Sequence, residues 1–196
     1  MRALVILALV IGVSGSSALA DSALPKIMTA RDQQRLAAFE ETRQSAVAEA
    51  RAGGSKEDLA VLDGVLAGEN LTFGEGFDMT GEWRCRTLKL GRSVPLAVYG
   101  WFKCRITDDG SGWRLEKTNG SQRTSGRFYT QSDTQLIYLG ALHMGTETAL
   151  AYGKNADRDQ VALAVRAGKD RVRLEFPSPV FDSKFDLLEL ERVKAP

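Results

Sequence analysis

The sequence predicts an α+β, mainly β fold: an antiparallel β-barrel or strongly curved sheet of about 7–9 strands, with an N-terminal helical pair packed against it. Three observations carry this expectation. Short β-type runs recur at turn-punctuated intervals from residue 81 onward. Helix-forming, acid-rich sequence is confined to the part before it. Both cysteines and two of the three tryptophans fall in two alternating stretches, Gly81-Glu82-Trp83-Arg84-Cys85 and Tyr99-Gly100-Trp101-Phe102-Lys103-Cys104.

The first 20 residues read as an export signal. Met1-Arg2 supplies a positive charge, Ala3 to Val13 is apolar apart from Gly12, and Ser14 to Ala20 is small and polar, closing on Ala18-Leu19-Ala20. An apolar run of roughly 10–14 residues is too short to span a bilayer as a helix. The expectation is cleavage after Ala20, a mature chain beginning at Asp21 with no transmembrane anchor, and a periplasmic or secreted location. No cysteine stands at that junction to take a lipid.

Of 196 residues, 176 then remain, about one ordinary domain. Residues 21–68 are expected to form the helical pair and 69–196 the β domain, with 21–196 folding as one unit. The full chain carries 26 basic and 25 acidic residues, a balance that argues against a nucleic-acid partner. The charge is unevenly placed. Arg31 to Glu82 holds 11 acids and 5 bases, whereas Trp83 to Arg127 holds 10 bases and 3 acids.

Within the helical part, Thr29 with Asp32 three residues on resembles a capping pair. Ala30 to Ala52 is rich in helix formers, and Gly53-Gly54 stops the run. Leu36, Phe39, Ala46, Val47 and Ala50 give it a thin apolar stripe. A second start at Ser55, with Asp58, leads into Leu59, Leu62, Val65 and Leu66 before Gly68. Neither helix buries much alone, so both must pack on the sheet.

Strands are expected near Gly81–Leu90, Ala97–Ile106, Trp113–Thr118, Ser121–Tyr129, Gln135–Ala141, Thr146–Ala151, Gln160–Arg166, Arg171–Phe176 and Phe185–Val193. Asn119-Gly120 is the preferred type I′ hairpin pair. Such a turn would set Glu116 opposite Arg123 and Trp113 opposite Gly126.

An even cysteine count in an exported chain is most simply one disulfide, Cys85 with Cys104. If the two face each other across the first hairpin, Trp83 meets Ile106 and Thr87 meets Phe102 on a core face. The opposite face then sets Arg84 against Arg105 and Arg86 against Lys103, with Leu88 against Trp101 and Leu90 against Tyr99. Like charges directly across a sheet repel, so something anionic should lie nearby. One reading is internal: the helices, with Glu40, Glu41, Glu49 and Asp58, dock over the block and neutralise it. The other is an anionic partner held by Arg84, Arg86, Tyr99, Trp101, Lys103 and Arg105, such as a sugar acid, a lipid head group or an acidic envelope protein.

Catalytic motifs are absent from the sequence. His143 is the single histidine and reads as structural, no G-x-S-x-G or H-E-x-x-H is present, and two cysteines with one histidine make a poor metal set. No cofactor is expected. Asp78, Glu82, Asp108, Asp109, Glu147 and Asp186 are available for paired-carboxylate chemistry, but no spacing marks a pair.

The runs Gly81 to Thr87, Val98 to Ile106, Leu115 to Gly126 and Tyr138-Leu139-Gly140-Ala141 resemble a family of small exported bacterial proteins known as domain of unknown function 4893. The resemblance covers nearly all of the mature chain and implies an envelope location, with no established catalytic residue to carry over. Gly81-x-Trp83 with one disulfide is more loosely similar to lipocalin-like barrels and to exported barrel inhibitors of metalloproteases, from which the preceding helices depart. The leading expectation is an exported, non-enzymatic binding or interaction module for an anionic or amphipathic ligand, met by the basic-aromatic face or the barrel mouth. The alternatives are an exported protease inhibitor acting through Asp21 to Ile27, and a carboxylate-dependent envelope hydrolase acting on polysaccharide.

Overall fold

The computed structural model describes residues 24–74 and 76–194. The expected export signal and its expected cleavage after Ala20 fall outside the described residues. No helix among those described is long and apolar enough to cross a membrane.

Four helices precede the sheet: α1 (Leu24–Ile27), α2 (Ala30–Ala37), α3 (Phe39–Gly53) and α4 (Lys56–Leu66). The Thr29 side chain accepts from the Asp32 amide and that of Ser55 from the Asp58 amide, so both caps sit where the sequence placed them. The expected single helix from Ala30 to Ala52 is instead broken at Ala38. The break lets its two halves serve different walls. Leu36 joins Leu24 over Ile137, Leu139 and Val161, whereas Phe39, Ala46 and Ala50 join Leu62 and Val65 over Leu88, Leu90, Phe185 and Leu187.

Nine antiparallel strands follow: β1 (Gly81–Leu90), β2 (Leu96–Val98), β3 (Phe102–Asp108), β4 (Trp113–Lys117), β5 (Gln122–Ser132), β6 (Gln135–Met144), β7 (Asp159–Gly168), β8 (Arg171–Pro177) and β9 (Phe185–Arg192). The ladder runs β1-β3-β4-β5-β6-β7-β8-β9, and β1 pairs again with β9. The protein is therefore an eight-stranded antiparallel β-barrel with one extra strand, β2, beside the end of β1. Closure leaves these eight strands without a free edge.

Alternation along β1 divides its residues between two cores. Trp83 and Cys85 point inward, with Cys104, Ile106, Leu115, Tyr138, Val172, Leu174, Leu188 and Leu190. Leu88 and Leu90 point outward under the helices. One end of the interior is closed by Trp83, whose indole donates to the Met79 carbonyl at 2.9 Å, and by an aromatic cluster of Phe73, Phe77 and Trp113. Higher in the barrel the Cys85–Cys104 disulfide and Tyr138 fill the bore.

Four expectations are corrected. The segment Ala97–Ile106 is two strands, because Tyr99 to Trp101 leaves the ladder, and Thr146–Ala151 is turn rather than strand. Cys85 and Cys104 are diagonal neighbours: Cys85 lies opposite Phe102 and Cys104 opposite Trp83, at a Cα separation of 5.9 Å that suits a disulfide. This two-residue slip keeps each side chain on its expected face. Around Asn119-Gly120, Leu115 lies opposite Gly126 and Glu116 opposite Ser125. Gly120 takes a φ of 89° but Asn119 does not take the left-handed φ that a type I′ turn requires; its side chain instead accepts from the Lys103 amide at 2.7 Å.

Candidate functional site

The outer basic block comes together only in part, and its counter-charges are strand residues. Arg84 lies opposite Lys103, but Arg105 lies opposite Glu82 and donates to it at 2.6 Å. Strand β9 supplies the remaining acids: Glu191 pairs with Arg84, and Glu189 accepts from Arg86 at 2.6 Å and from Arg171 at 2.9 Å. The indole of Trp101 sits between the guanidinium groups of Arg84 and Arg86, 4.3 and 4.6 Å from its centroid. Leu88 and Leu90 face Val98 and Leu96, not Trp101 and Tyr99. Of the helix acids expected to neutralise this face, Glu49 pairs instead with Lys184 and takes the Arg92 amide. Three of the four cations, Arg84, Arg86 and Arg105, are thus paired within the barrel wall, by β9 and Glu82.

Inside the other end of the barrel lies a cavity of about 180 Å³. It is built by the last residues of β1, β4, β6 and β8 and the first residues of β3, β5, β7 and β9. Of the expected site residues, Tyr99 reaches this mouth. The apolar wall is Phe102, Leu142, Phe176 and Leu188. Its floor is a hydrogen-bonded chain in which Tyr138 and Thr124 lie 2.7 Å apart and the Thr124 hydroxyl donates to Gln160 at 2.6 Å.

Three cations converge on this chamber. Lys89 comes from β1, Lys117 from β4 and Arg123 from β5. Lys117 is 7% exposed and its ammonium stands 4.1 Å from the Phe102 ring centroid. Gly120 makes that placement possible, because a Cβ there would come within 3.0 Å of the Phe102 ring. Burial, together with repulsion from Lys89 and Arg123, pulls the Lys117 ammonium down to about 8. Lys89 reaches the exposed Asp182 at 3.3 Å, and the Arg123 Nε donates to the Gly120 carbonyl at 3.0 Å. Among the described residues, neither Lys117 nor Arg123 has a carboxylate partner.

One acid, Asp186 of β9, lines the chamber, directly opposite Lys89 in register. Burial pushes its carboxyl up to about 6, against the pull of Lys89 and of the hydrogen bond from Ser183. A smaller cavity of about 40 Å³ adjoins the chamber through Lys89, Gln160, Phe176 and Asp186, and is also lined by Asp157 and Asp159.

The other acids considered for catalysis are dispersed. Asp78 binds the Thr80 amide and the Trp113 indole, Asp109 pairs with Arg127, and Glu147 pairs with Arg158. No cluster of metal-ligating side chains occurs among the described residues. His143 is buried opposite Arg123, and neither ring nitrogen has a protein hydrogen-bond partner.

Lys89, Lys117, Arg123 and Asp186 were missed as a group because they lie on four different strands. Alternation marks three of them, since Lys89 shares the inward parity of Trp83 and Cys85, Lys117 that of Leu115 and Asp186 that of Leu188, whereas Arg123 has the opposite parity to the inward Thr124 and reaches the chamber only at the rim. A family model described as a domain of unknown function, DUF4893, matches residues 25–190. No curated protein and no solved structure matches the chain.

Proposed function

The chain belongs to this DUF4893 family, and from the chemistry of its own residues we propose that it is an exported, periplasmic, non-enzymatic binding module that takes a small anionic ligand in the barrel mouth. One observation carries the reading: three cations face a single chamber with one acid among them, and two of those cations lack a carboxylate partner among the described residues. Burying cations beside one another is costly, and an anion seated between them offsets that cost.

The chamber holds the bulk of about six waters, at about 30 Å³ each. Tyr138 and the disulfide block the bore beneath it, so a long acyl chain has nowhere to descend. A free sugar acid or carboxylate, a lipid head group and an acidic side chain of an envelope protein share the chemistry that fits. Export is supported by the N-terminal sequence pattern and by the closed disulfide.

Two other readings receive less support. Leu24 is buried against Ile137, Leu139 and Val161, so an inhibitor's N-terminal segment would have to leave the barrel wall to enter a protease. A hydrolase acting on polysaccharide needs two acids around a sugar ring. Asp159 and Asp186 share the smaller cavity, but the Asp159 carboxyl accepts from the Gly153 amide and that of Asp186 from the Ser183 hydroxyl, so both are engaged by the protein itself.

Calorimetric titration of the intact protein with acetate, butanoate, phosphate and glucuronate, at low salt, tests the proposal. At least one should bind, and Lys117→Met should weaken it about tenfold or more, as loss of a charge-assisted contact implies. The outer-face double variant Arg84→Gln/Arg105→Gln should bind as the wild type does. Loss of binding in the double variant with none in Lys117→Met would move the site to the outer face.

A further inference from the structure

Lys117 carries the least compensated charge in the chamber. Its side chain enters the barrel from β4, it is 7% exposed, and around it stand the face of Phe102 and two further cations, Lys89 from β1 and Arg123 from β5. The carboxyl that lines the same space, Asp186 from β9, is hydrogen-bonded by Ser183. An anion contact alone does not require a buried amine that a facing aromatic ring and two cations surround. The same surroundings are those that make a lysine nucleophilic toward carbonyl carbon.

We propose that Lys117 is a covalent capture site, whose amine condenses reversibly with the carbonyl of a short 2-oxo acid while Lys89 and Arg123 hold that acid's carboxylate. The inference rests on the mouth-chamber reading and gives its ligand a chemical class. The amine lone pair attacks the carbonyl carbon, the C–N bond forms as the C=O π pair moves onto oxygen, and a proton passes from the nitrogen to that oxygen to give a neutral carbinolamine. That hydroxyl then takes a second proton and leaves as water while the nitrogen lone pair closes the C=N bond and the nitrogen releases a proton. Amine and ketone become imine and water, with no oxidant or reductant.

Two properties of the chamber favour these steps. With its ammonium at about 8, Lys117 holds roughly three-hundredfold more free amine at neutral pH than an ordinary lysine. Asp186, at about 6, is an acid in the same chamber able to exchange the protons. The apolar wall of Phe102, Phe176 and Leu188 suits a short alkyl tail.

The test treats the full mature protein with 2-oxobutanoate or butanoate, with and without sodium cyanoborohydride, and reads intact mass, peptide maps and calorimetry. Both acids should bind. With the reductant, 2-oxobutanoate alone should add its own mass less one oxygen, at Lys117, at least about tenfold faster than at exposed lysines such as Lys103 and Lys154. Lys117→Arg should lose the adduct and keep butanoate binding. If both acids bind but Lys117 is labelled no faster than the exposed lysines, covalent capture is overturned and the anion chamber stands. If neither acid binds and no adduct forms at Lys117, both fall.

Discussion

Glu189 lies opposite Arg86 across the seam between β1 and β9 and accepts from it at 2.6 Å, while its other carboxylate oxygen accepts from Arg171 at 2.9 Å. One carboxylate, 2% exposed, thus ties together three strands at the place where the barrel closes. Its oxygens are satisfied and both partners are charged, the arrangement in which a buried ionic group tolerates its desolvation.

Replacing Glu189 by Gln leaves Arg86 and Arg171 without their shared counter-charge in a partly buried setting. The expected loss is about 3 kcal/mol, the scale for breaking a buried pair by removing one partner. Urea unfolding of the variant measures it. Glu82→Gln, whose pair with Arg105 is exposed on both sides, should cost less than about 1 kcal/mol in the same assay. Equal losses would mean that the seam pair is no more important than a surface pair.

The Cys85–Cys104 bond closes a loop of sequence separation 19 inside the barrel. Its contribution should be about 3 kcal/mol on the chain-entropy account, seen as a lower urea midpoint in dithiothreitol. Protein recovered from a periplasmic extract without reductant should begin at Asp21 and carry the bond. A free-thiol product beginning at Met1 would count against export.

The affinity of the chamber for an anion should fall with pH in two steps. Below about 6 Asp186 is neutral and leaves the cations unopposed; as it ionises, one negative charge joins the site and binding weakens. Above about 8 Lys117 loses its proton and binding weakens again. Asp186→Asn should erase the lower step and Lys117→Met the upper one, in titrations of butanoate from pH 5 to 9. Stability follows the same two groups. The folded protein holds the Asp186 proton more tightly than the unfolded chain, so this carboxyl's contribution to stability decreases as pH rises from its usual 3.8 to about 6. The penalty of burying the Lys117 ammonium is present below about 8 and is relieved as pH rises toward 10.5. A binding curve flat across both intervals would remove these residues from the site.

The alternation Trp83, Cys85 against Arg84, Arg86 was legible in the sequence because a side-chain period of two survives any even shift in register. The partner of each residue was not. Whether Cys85 faces Cys104 or Phe102 depends on where the chain leaves the ladder, and that happens at Tyr99 to Trp101, a stretch with ordinary strand composition. The closing partner of β1 is β9, and the acids that neutralise Arg84 and Arg86 lie 107 and 103 residues away, so they had no local mark. Thr29 and Ser55 were legible as caps because a cap is a four-residue event. The break at Ala38 was not, because it answers to two different walls of the barrel.

The aromatic cluster of Phe73, Phe77 and Trp113 has Arg166 stacked 3.9 Å from the Phe77 centroid, and the Phe73 amide is tied to the Asp133 carbonyl. With that end stoppered, the bore is a blind well and not a conduit. Whatever enters between Tyr99 and Phe176 has to back out along the same path, so its dwell time would be governed by the rim residues, and cargo could not be passed through the barrel from one side to the other.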